Sequence, residues 1–279
     1  MSCARQPISV VFNCPMVPLT LLVAWLESEE SMKTSQSNSE QHPFPEKAPF
    51  ESGARFRTSH ERLGMRVRGK SESVFLSGGP AMWLRLMPSY DPGRTWPTQY
   101  LQPRLPDLAK ALLLMIGHGT GIPKSDAIDE IQDKDGAGCY PIIETGERTT
   151  PTIAYVFETA EVWLVNTLLT WQSADMFTFT THQFTDSLEK CRLFLDNLGC
   201  ARPYQWVVGL DGVKDRQLRF PALPNRRYQP FGKPLGDRID GRGFYKDGDS
   251  AAGLLRPFFN EVYDQCGVPT ALRDAVATN

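Results

Sequence analysis

The chain has 279 residues, of which 41% are hydrophobic and 22% charged, and its formal net charge is -2. At this length folding buries roughly three quarters of the unfolded surface, enough for one large domain or two small ones without cross-links. A charge so near zero excludes a global pull toward nucleic acid or membrane, and ordinary composition excludes a disordered or fibrous chain.

Six cysteines show no C-x-x-C pair and no dense spacing, which fits buried, reduced thiols in a cytosolic protein. A Cys191–Cys200 bridge would tie a helix to its own exit loop. Residues 8–26 are apolar, but Pro15 and Pro18 interrupt them, only Arg5 precedes them, and no small-residue cleavage site comes before Glu27. A spanning helix or signal peptide is therefore not expected. Residues 32–50 are Ser, Gln, Glu, Pro and Lys with little to bury. Residues 1–52 thus read as a disordered or mis-assigned extension, with Met32 an alternative start. Residues 53–70 then carry Arg55, Arg57, Arg62, Arg66, Arg68 and Lys70 against Glu61 alone, a local charge of +5. That stretch is a solvated edge strand or loop, or else an anion-facing patch.

Residues 73–76 and 81–87 read as strands around a Ser-Gly-Gly-Pro connection. In the second, Met82, Leu84 and Leu86 share one face, and Trp83 and Arg85 the other. Asp91-Pro92-Gly93-Arg94 is a turn. Pro106 opens a helix over 106–116, with Leu108, Leu112, Met115 and Ile116 at helical spacing. The Gly-rich stretch from Gly117 to Ser125 fails as a phosphate loop, because Gly does not precede Lys124 and no apolar strand leads in. Asp133-Lys-Asp-Gly136 lacks the later ligands of a calcium loop and reads as a tight turn into a strand around Cys139.

The runs 152–158 and 162–169 are dense in β-branched and aromatic residues and contain neither Gly nor Pro. With only Thr159-Ala160 between them, they are expected to pair with Phe157 facing Val162, Tyr155 facing Leu164, Val156 facing Trp163 and Ala154 facing Val165. Both faces would be apolar, so this hairpin is expected at the centre of a sheet covered on both sides. Glu158 and Glu161 read as exposed turn residues. Phe184, Leu188, Cys191, Leu195 and Leu198 then form one stripe of a helix over 181–198, stopped by Gly199. Residues 204–210 and 217–220 read as strands joined through Asp211-Gly212. Residues 221–245, rich in Pro, Gly and Arg, are expected to be an irregular surface excursion. From Lys214 to Lys246 nine basic residues face three acids, a local charge of +6, interleaved with Phe220, Tyr228, Phe231, Phe244 and Tyr245. A last helix over 251–266, capped by Ser250, turns Leu254, Phe258, Phe259 and Val262 inward, with Pro257 kinking it or marking a later start. Residues 271–279 read as a flexible tail.

Little here declares catalysis. His182 and Asp186 sit at i, i+4, a spacing that could hold a metal, but no third ligand is evident. Cys191 lies on the apolar stripe, and His118 has no nucleophile elbow beside it. The chemistry-bearing feature is the pair of basic segments, since cations among aromatic rings suit phosphate contacts and base stacking. Arg55, Arg57, Arg66, Arg68, Arg226, Arg227, Arg238 and Arg242 are the candidate anion- or nucleic-acid-binding residues. The bland reading is an Arg-rich loop balancing acidic helices.

Several phrases occur together: Phe75-Leu-Ser-Gly-Gly-Pro-Ala-Met-Trp-Leu-Arg-Leu-Met-Pro88, Gly93-Arg-Thr-Trp96, Val156-Phe-Glu-Thr-Ala-Glu-Val-Trp163, Tyr204-Gln-Trp-Val-Val-Gly-Leu-Asp-Gly-Val-Lys214 and Ser250-Ala-Ala-Gly-Leu-Leu-Arg-Pro-Phe-Phe259. In this order they resemble the C-terminal region of bacterial proteins described as ATP-binding or as carrying a Schlafen-type AlbA domain. The resemblance covers about residues 53–267 and implies a bacterial cytoplasmic protein whose retained part is an accessory domain. In that family the nucleotide- or nucleic-acid-associated domain lies N-terminal to this region, and nothing resembling it precedes Gly53. Nucleotide binding is therefore not carried over, and the chain is expected to be a stand-alone version or a fragment.

The expectation is one α+β domain over 53–270. Its antiparallel sheet is built on the central hairpin at about 152–169, with helices over 106–116, 181–198 and 251–266 packed on it. The functional expectation is a non-enzymatic accessory or binding domain, without cofactor, metal or membrane, acting with a protein partner or a nucleotide-handling domain. The alternative is a nucleic-acid-binding module using residues 53–70 and 214–246. A hydrolase using His182 or His118 is a third reading.

Overall fold

The computed structural model describes residues 65–70, 72–88, 94–116, 128–142, 149–170, 173–222 and 227–277. The chain enters as short strands β1 (Met65–Arg66) and β2 (Ser73–Leu76), then β3 (Ala81–Met87). Helices α1 (Thr98–Leu101) and α2 (Leu105–Ile116) follow, then the tight hairpin of β4 (Ile128–Asp133) and β5 (Gly136–Pro141). Strand β6 (Thr149–Thr150) runs through Pro151 into β7 (Thr152–Phe157), which turns into β8 (Val162–Asn166). After β9 (Met176–Phe177) come α3 (Thr181–Asn197), β10 (Tyr204–Asp211), β11 (Gln217–Ala222) and β12 (Arg227–Pro230). Strand β13 (Arg238–Tyr245), α4 (Ala251–Gln265) and α5 (Thr270–Ala277) complete the described elements.

The protein is an α+β fold. Seven antiparallel strands in the order β13-β10-β3-β8-β7-β5-β4 form the main sheet, with the β7–β8 hairpin in its middle. The three expected long helices are present as α2, α3 and α4. Two expectations fail. Residues 221–245 hold β12 and the eight-residue β13 rather than an irregular excursion, and the expected tail after residue 270 is the helix α5.

The hairpin register differs by one residue from the expected pairing. Val156 faces Val162, Tyr155 faces Trp163 and Ala154 faces Leu164. The cause is the turn. Ala160 adopts φ of 60°, its N–H bonds to Phe157 O, and the Phe157 N–H bonds to Glu161 O. The loop is therefore the three residues Glu158-Thr159-Ala160, a turn closed by a left-handed residue, rather than two. A slip of one residue exchanges the faces of a strand. Here it gathers Tyr155, Trp163 and Arg85 in one cross-strand row, because Arg85 faces Trp163.

One face of the sheet carries Met82, Leu84, Leu86, Ala154, Val156, Val162 and Leu164 into the main core under the helices. The last carbonyls of α2 are satisfied by neighbours: Gln183 Nε2 donates to Met115 O and Ile116 O, and Asn166 Nδ2 to Met115 O. A capping box between Thr180 and Gln183 starts α3, and Ser250 Oγ accepts from the Gly253 N–H at the start of α4. Pro257 lies inside α4.

The other face holds Trp83, Arg85, Ile153, Tyr155, Trp163 and Val207, all buried. Part of its cover comes from the strands themselves. Val67 bridges to Ile131 of β4, β1 pairs with β2, β2 pairs with β6, and β6 continues as β7. With β7–β5 and β5–β4 pairing, these links close a circuit. Val67, Val74, Ile131, Ile153, Tyr155 and Phe157 are buried but lie outside the helix-side core, as the lining of such a closed circuit should.

Glu161 is not the exposed turn residue expected. It is 1% exposed and forms an ion pair with Arg85 Nε, which is equally buried, while accepting from Trp163 Nε1. Arg85 also stacks over the Trp163 ring at 5.0 Å. Glu158, by contrast, is half-buried and accepts from both the N–H and the hydroxyl of Thr98 at 3.2 Å.

Candidate interaction surface

Strand β13 ends the main sheet, and its residues explain how a Gly- and Arg-rich stretch becomes a strand. Ile239, Gly241, Gly243 and Tyr245 alternate with Arg238, Asp240, Arg242 and Phe244, the period of a strand. The glycines sit where larger neighbours pass. A Cβ on Gly243 would lie 2.8 Å from Trp206 Cζ2, and one on Gly241 would lie 2.9 Å from Phe258 Cβ. The Trp206 indole thus lies across Gly243, and α4 approaches β13 at Gly241.

Between this strand and α4 is a cleft of about 570 Å³, with Trp206, Ile239, Leu254, Pro257 and Phe258 as its apolar lining. Glu261 and Gln265 of α4 supply polar side chains, and Arg238, Asp240 and Arg242 border the cleft as part of β13. Trp206 Nε1 and Gln265 Oε1 have no hydrogen-bond partner among the described residues.

A carboxylate network fixes the corner where β13 meets α4. Glu189 of α3 accepts from Tyr245 Oη at 2.5 Å, from the Ala251 N–H at 3.2 Å and from Arg192 Nε at 2.8 Å. Asp196, two turns on, accepts from Arg192 Nη1, Arg202 Nη2 and Tyr204 Oη. Burial alone would raise both carboxyl pKa values, but these hydrogen bonds and the arginine charges outweigh it and hold both below the usual range. Burial and the Glu189 carboxylate push the Tyr245 phenol up to about 12, which keeps its donated proton in place.

Because the folded pKa of each carboxyl is lowered, its contribution is complete above the unfolded value near 4 and is lost as pH falls through the folded value. Stability should therefore fall on acidification from about pH 5 downward. Asp196→Asn should be less stable than the parent near neutral pH and show a shallower fall between about pH 7 and about pH 3, read from urea midpoints. An equal fall in parent and variant would contradict this role.

Of the candidate arginines, the side chains of Arg68, Arg238 and Arg242 are described. Arg238 and Arg242 lie together on one face of β13. Arg68 follows β1 at the opposite edge, where it pairs with Glu130 of β4, and Lys70 pairs with Asp129 at 2.7 Å. Along the sheet, six strand spacings lie between those edges. Arg66 pairs through its backbone with Ser73, and Arg227 with Ala222. Arg55, Arg57 and Arg226 lie outside the described residues, as do residues 1–52, His118 and the Gly-rich stretch around it. Arg238 is compensated locally. Its Nε lies 3.2 Å from Asp240 and 3.7 Å from Asp211, and its guanidinium stacks on the Trp83 ring at 4.9 Å.

Catalytic groups do not assemble among the described residues. His182 is exposed at the start of α3, and no cluster of three or more His, Cys, Asp or Glu could hold a metal there. Cys139, Cys191, Cys200 and Cys266 are free, and burial raises each thiol pKa, to about 12 for Cys200 and Cys266. These are poor nucleophiles. No helix among the described residues is long and apolar enough to cross a membrane. Neither a family model, a curated protein nor a solved structure matches the chain.

Proposed function

We propose that the chain is a non-enzymatic binding domain that takes a polypeptide partner at the cleft between β13 and α4. The observation that carries this reading is the cleft itself: a sheet edge, an apolar lining and a polar rim meet there. An edge strand beside a helix is a surface on which polypeptides add, through backbone hydrogen bonds and side-chain hollows. On this reading the protein is a bacterial cytoplasmic accessory domain, as the resemblance of its phrases to ATP-binding and Schlafen-type AlbA-domain proteins implies, and it works alongside a nucleotide-handling domain or another partner.

A nucleic-acid-binding module built on residues 53–70 and 214–246 is the competing reading. Arg238 and Arg242 on one face of β13 favour it; the Asp211 and Asp240 carboxylates beside Arg238 and the separation of Arg68 weigh against it.

A photo-cross-linking residue at Glu261, on the rim of the cleft, should capture a polypeptide in cells, whereas the same residue at exposed Lys190 should not. Equal capture at both positions would defeat the reading. So would association with single-stranded nucleic acid that weakens steeply from about 50 to about 200 mM salt without any captured polypeptide.

A further inference from the structure

We propose that the Asp247-Gly248 turn between β13 and α4 is a modification site, at which the folded chain converts aspartate to isoaspartate. The reaction joins the Gly248 backbone nitrogen to Cγ of Asp247. A C–N bond forms as a carboxyl C–O bond breaks, and the oxygen leaves as water with the amide proton and one proton from solvent. Water then opens the five-membered ring at its main-chain carbonyl. The chain afterwards runs through the Asp247 side chain, and the α-carboxylate is left free. The two steps need no oxidant or reductant, and they leave the mass unchanged.

Glycine after aspartate favours this closure, because no Cβ shields the attacking nitrogen. The chain has such pairs at Asp135, Asp211, Asp240 and Asp247. Closure also requires the intervening peptide to rotate until its nitrogen meets Cγ, and the fold opposes that rotation at the first three. Asp240-Gly241 lies inside β13, in register with Gly209 and Val208, and a Cβ on Gly241 would lie 2.9 Å from Phe258 Cβ. The Asp135 carboxylate accepts from Tyr155 Oη at 2.8 Å, its carbonyl accepts from the Glu158 N–H at 2.9 Å, and Gly136 pairs with Phe157. Asp211 pairs with both Ala81 and Arg238 at the end of β10. Gly212 beyond it accepts from Arg216 Nη1 at 2.9 Å, and a Cβ there would lie 3.0 Å from Pro80 Cα.

Asp247 and Gly248 are instead the central residues of a turn closed by the Asp249 N–H on Lys246 O at 3.3 Å. Gly248 has φ of 84°, which glycine adopts without strain. No described atom lies within 4 Å of where its Cβ would be, and the Asp247 side chain is 87% exposed. Arg202 Nη1 reaches Asp247 at 2.7 Å, from a guanidinium that Asp196 holds through Nε and Nη2. An ion pair so open to solvent is too weak to lock the carboxylate. The added backbone carbon falls between the two walls of the cleft, and it draws the Asp247 charge away from Arg202.

The test incubates the full chain at neutral pH, folded and in parallel in urea, and reads its peptides by electron-transfer fragmentation, which tells isoaspartate from aspartate. Circular dichroism checks that the first sample stays folded. In urea the pairs should convert at comparable rates. In the folded chain Asp247 should keep most of its urea rate, whereas Asp135, Asp211 and Asp240 should slow by at least about tenfold, since each needs a local opening first. Asp247→Asn should react several times faster at the same turn, losing ammonia in place of water. The proposal is overturned by isoaspartate appearing first at another pair, by equal rates at all of them in the folded chain, or by a folded rate at Asp247 reduced as far as the rest. A folded Asp247→Asn chain that keeps its amide overturns it too.

Discussion

Arg85→Met is expected to cost about 3–5 kcal/mol, the price of taking one partner from a buried ion pair. A typical domain has only about 5–15 kcal/mol in total, so the variant should approach unfolding at physiological temperature. Arg85 on β3 and Glu161 at the β7–β8 turn are each 1% exposed, with the Trp163 ring beside the guanidinium and its N–H on the carboxylate. Methionine matches the arginine stem in volume and leaves the carboxylate without that cation in a low-dielectric site. Neutralising the other partner should recover much of the loss. Arg85→Met/Glu161→Gln keeps an acceptor for Trp163 Nε1 but removes the buried charge. Urea unfolding followed by tryptophan fluorescence gives both values. A single variant within about 1 kcal/mol of the parent would show that the pair is not what holds this face together.

Gly209→Ala is the second large effect. A Cβ there would fall 2.3 Å from Trp83 Cζ2 and 2.6 Å from Cε2, closer than any side chain tolerates. Trp83 has little room to give way, because it is 3% exposed, packs 6.0 Å from Trp163 and lies under the Arg238 guanidinium. Overpacking of this kind costs about 1–3 kcal/mol and sometimes more. Trp83→Leu alone should also destabilise, by leaving a cavity. The double variant should be less damaged than the sum of the two, by at least about 1 kcal/mol, because the smaller side chain makes the space the methyl group needs. Simple additivity would mean that the backbone moves instead and that the close approach is not a constraint.

The fold was legible wherever a local period set the outcome. The alternation in β3 put Met82, Leu84 and Leu86 in the core, and the stripe from Phe184 to Leu198 marked α3. It was not legible where a single backbone angle decided. Nothing in the spacing of Glu158-Thr159-Ala160-Glu161 announces that an alanine takes the left-handed conformation. The expected register consequently set Trp163 against Val156, and the cluster of Tyr155, Trp163 and Arg85 stayed hidden. The Arg85–Glu161 pair spans 76 positions and needs the register of β3 against β8. Strand β13 was masked by its glycines, which read as loop residues until Trp206 and Phe258 supply a reason for them. Of the candidate interaction surface, Arg238 and Arg242 were singled out as cations. The carboxylates beside Arg238, and the helix lying alongside, come only from the assembled fold.

The closed strand circuit carries a consequence in time. Val67 reaches its partner Ile131 across 64 positions, and Phe75 pairs with Thr149 across 74. During synthesis β1 and β2 emerge first, and a two-stranded piece of that size does not hold together in water by itself. It must wait until the chain through Thr150 has left the ribosome before both of its flanks can be taken up. Contacts so distant in sequence make closure a late and slow event, with strand edges open to other chains until then. Crowded expression at high temperature is the condition under which this chain should be lost to aggregation, and slower synthesis the condition that should spare it.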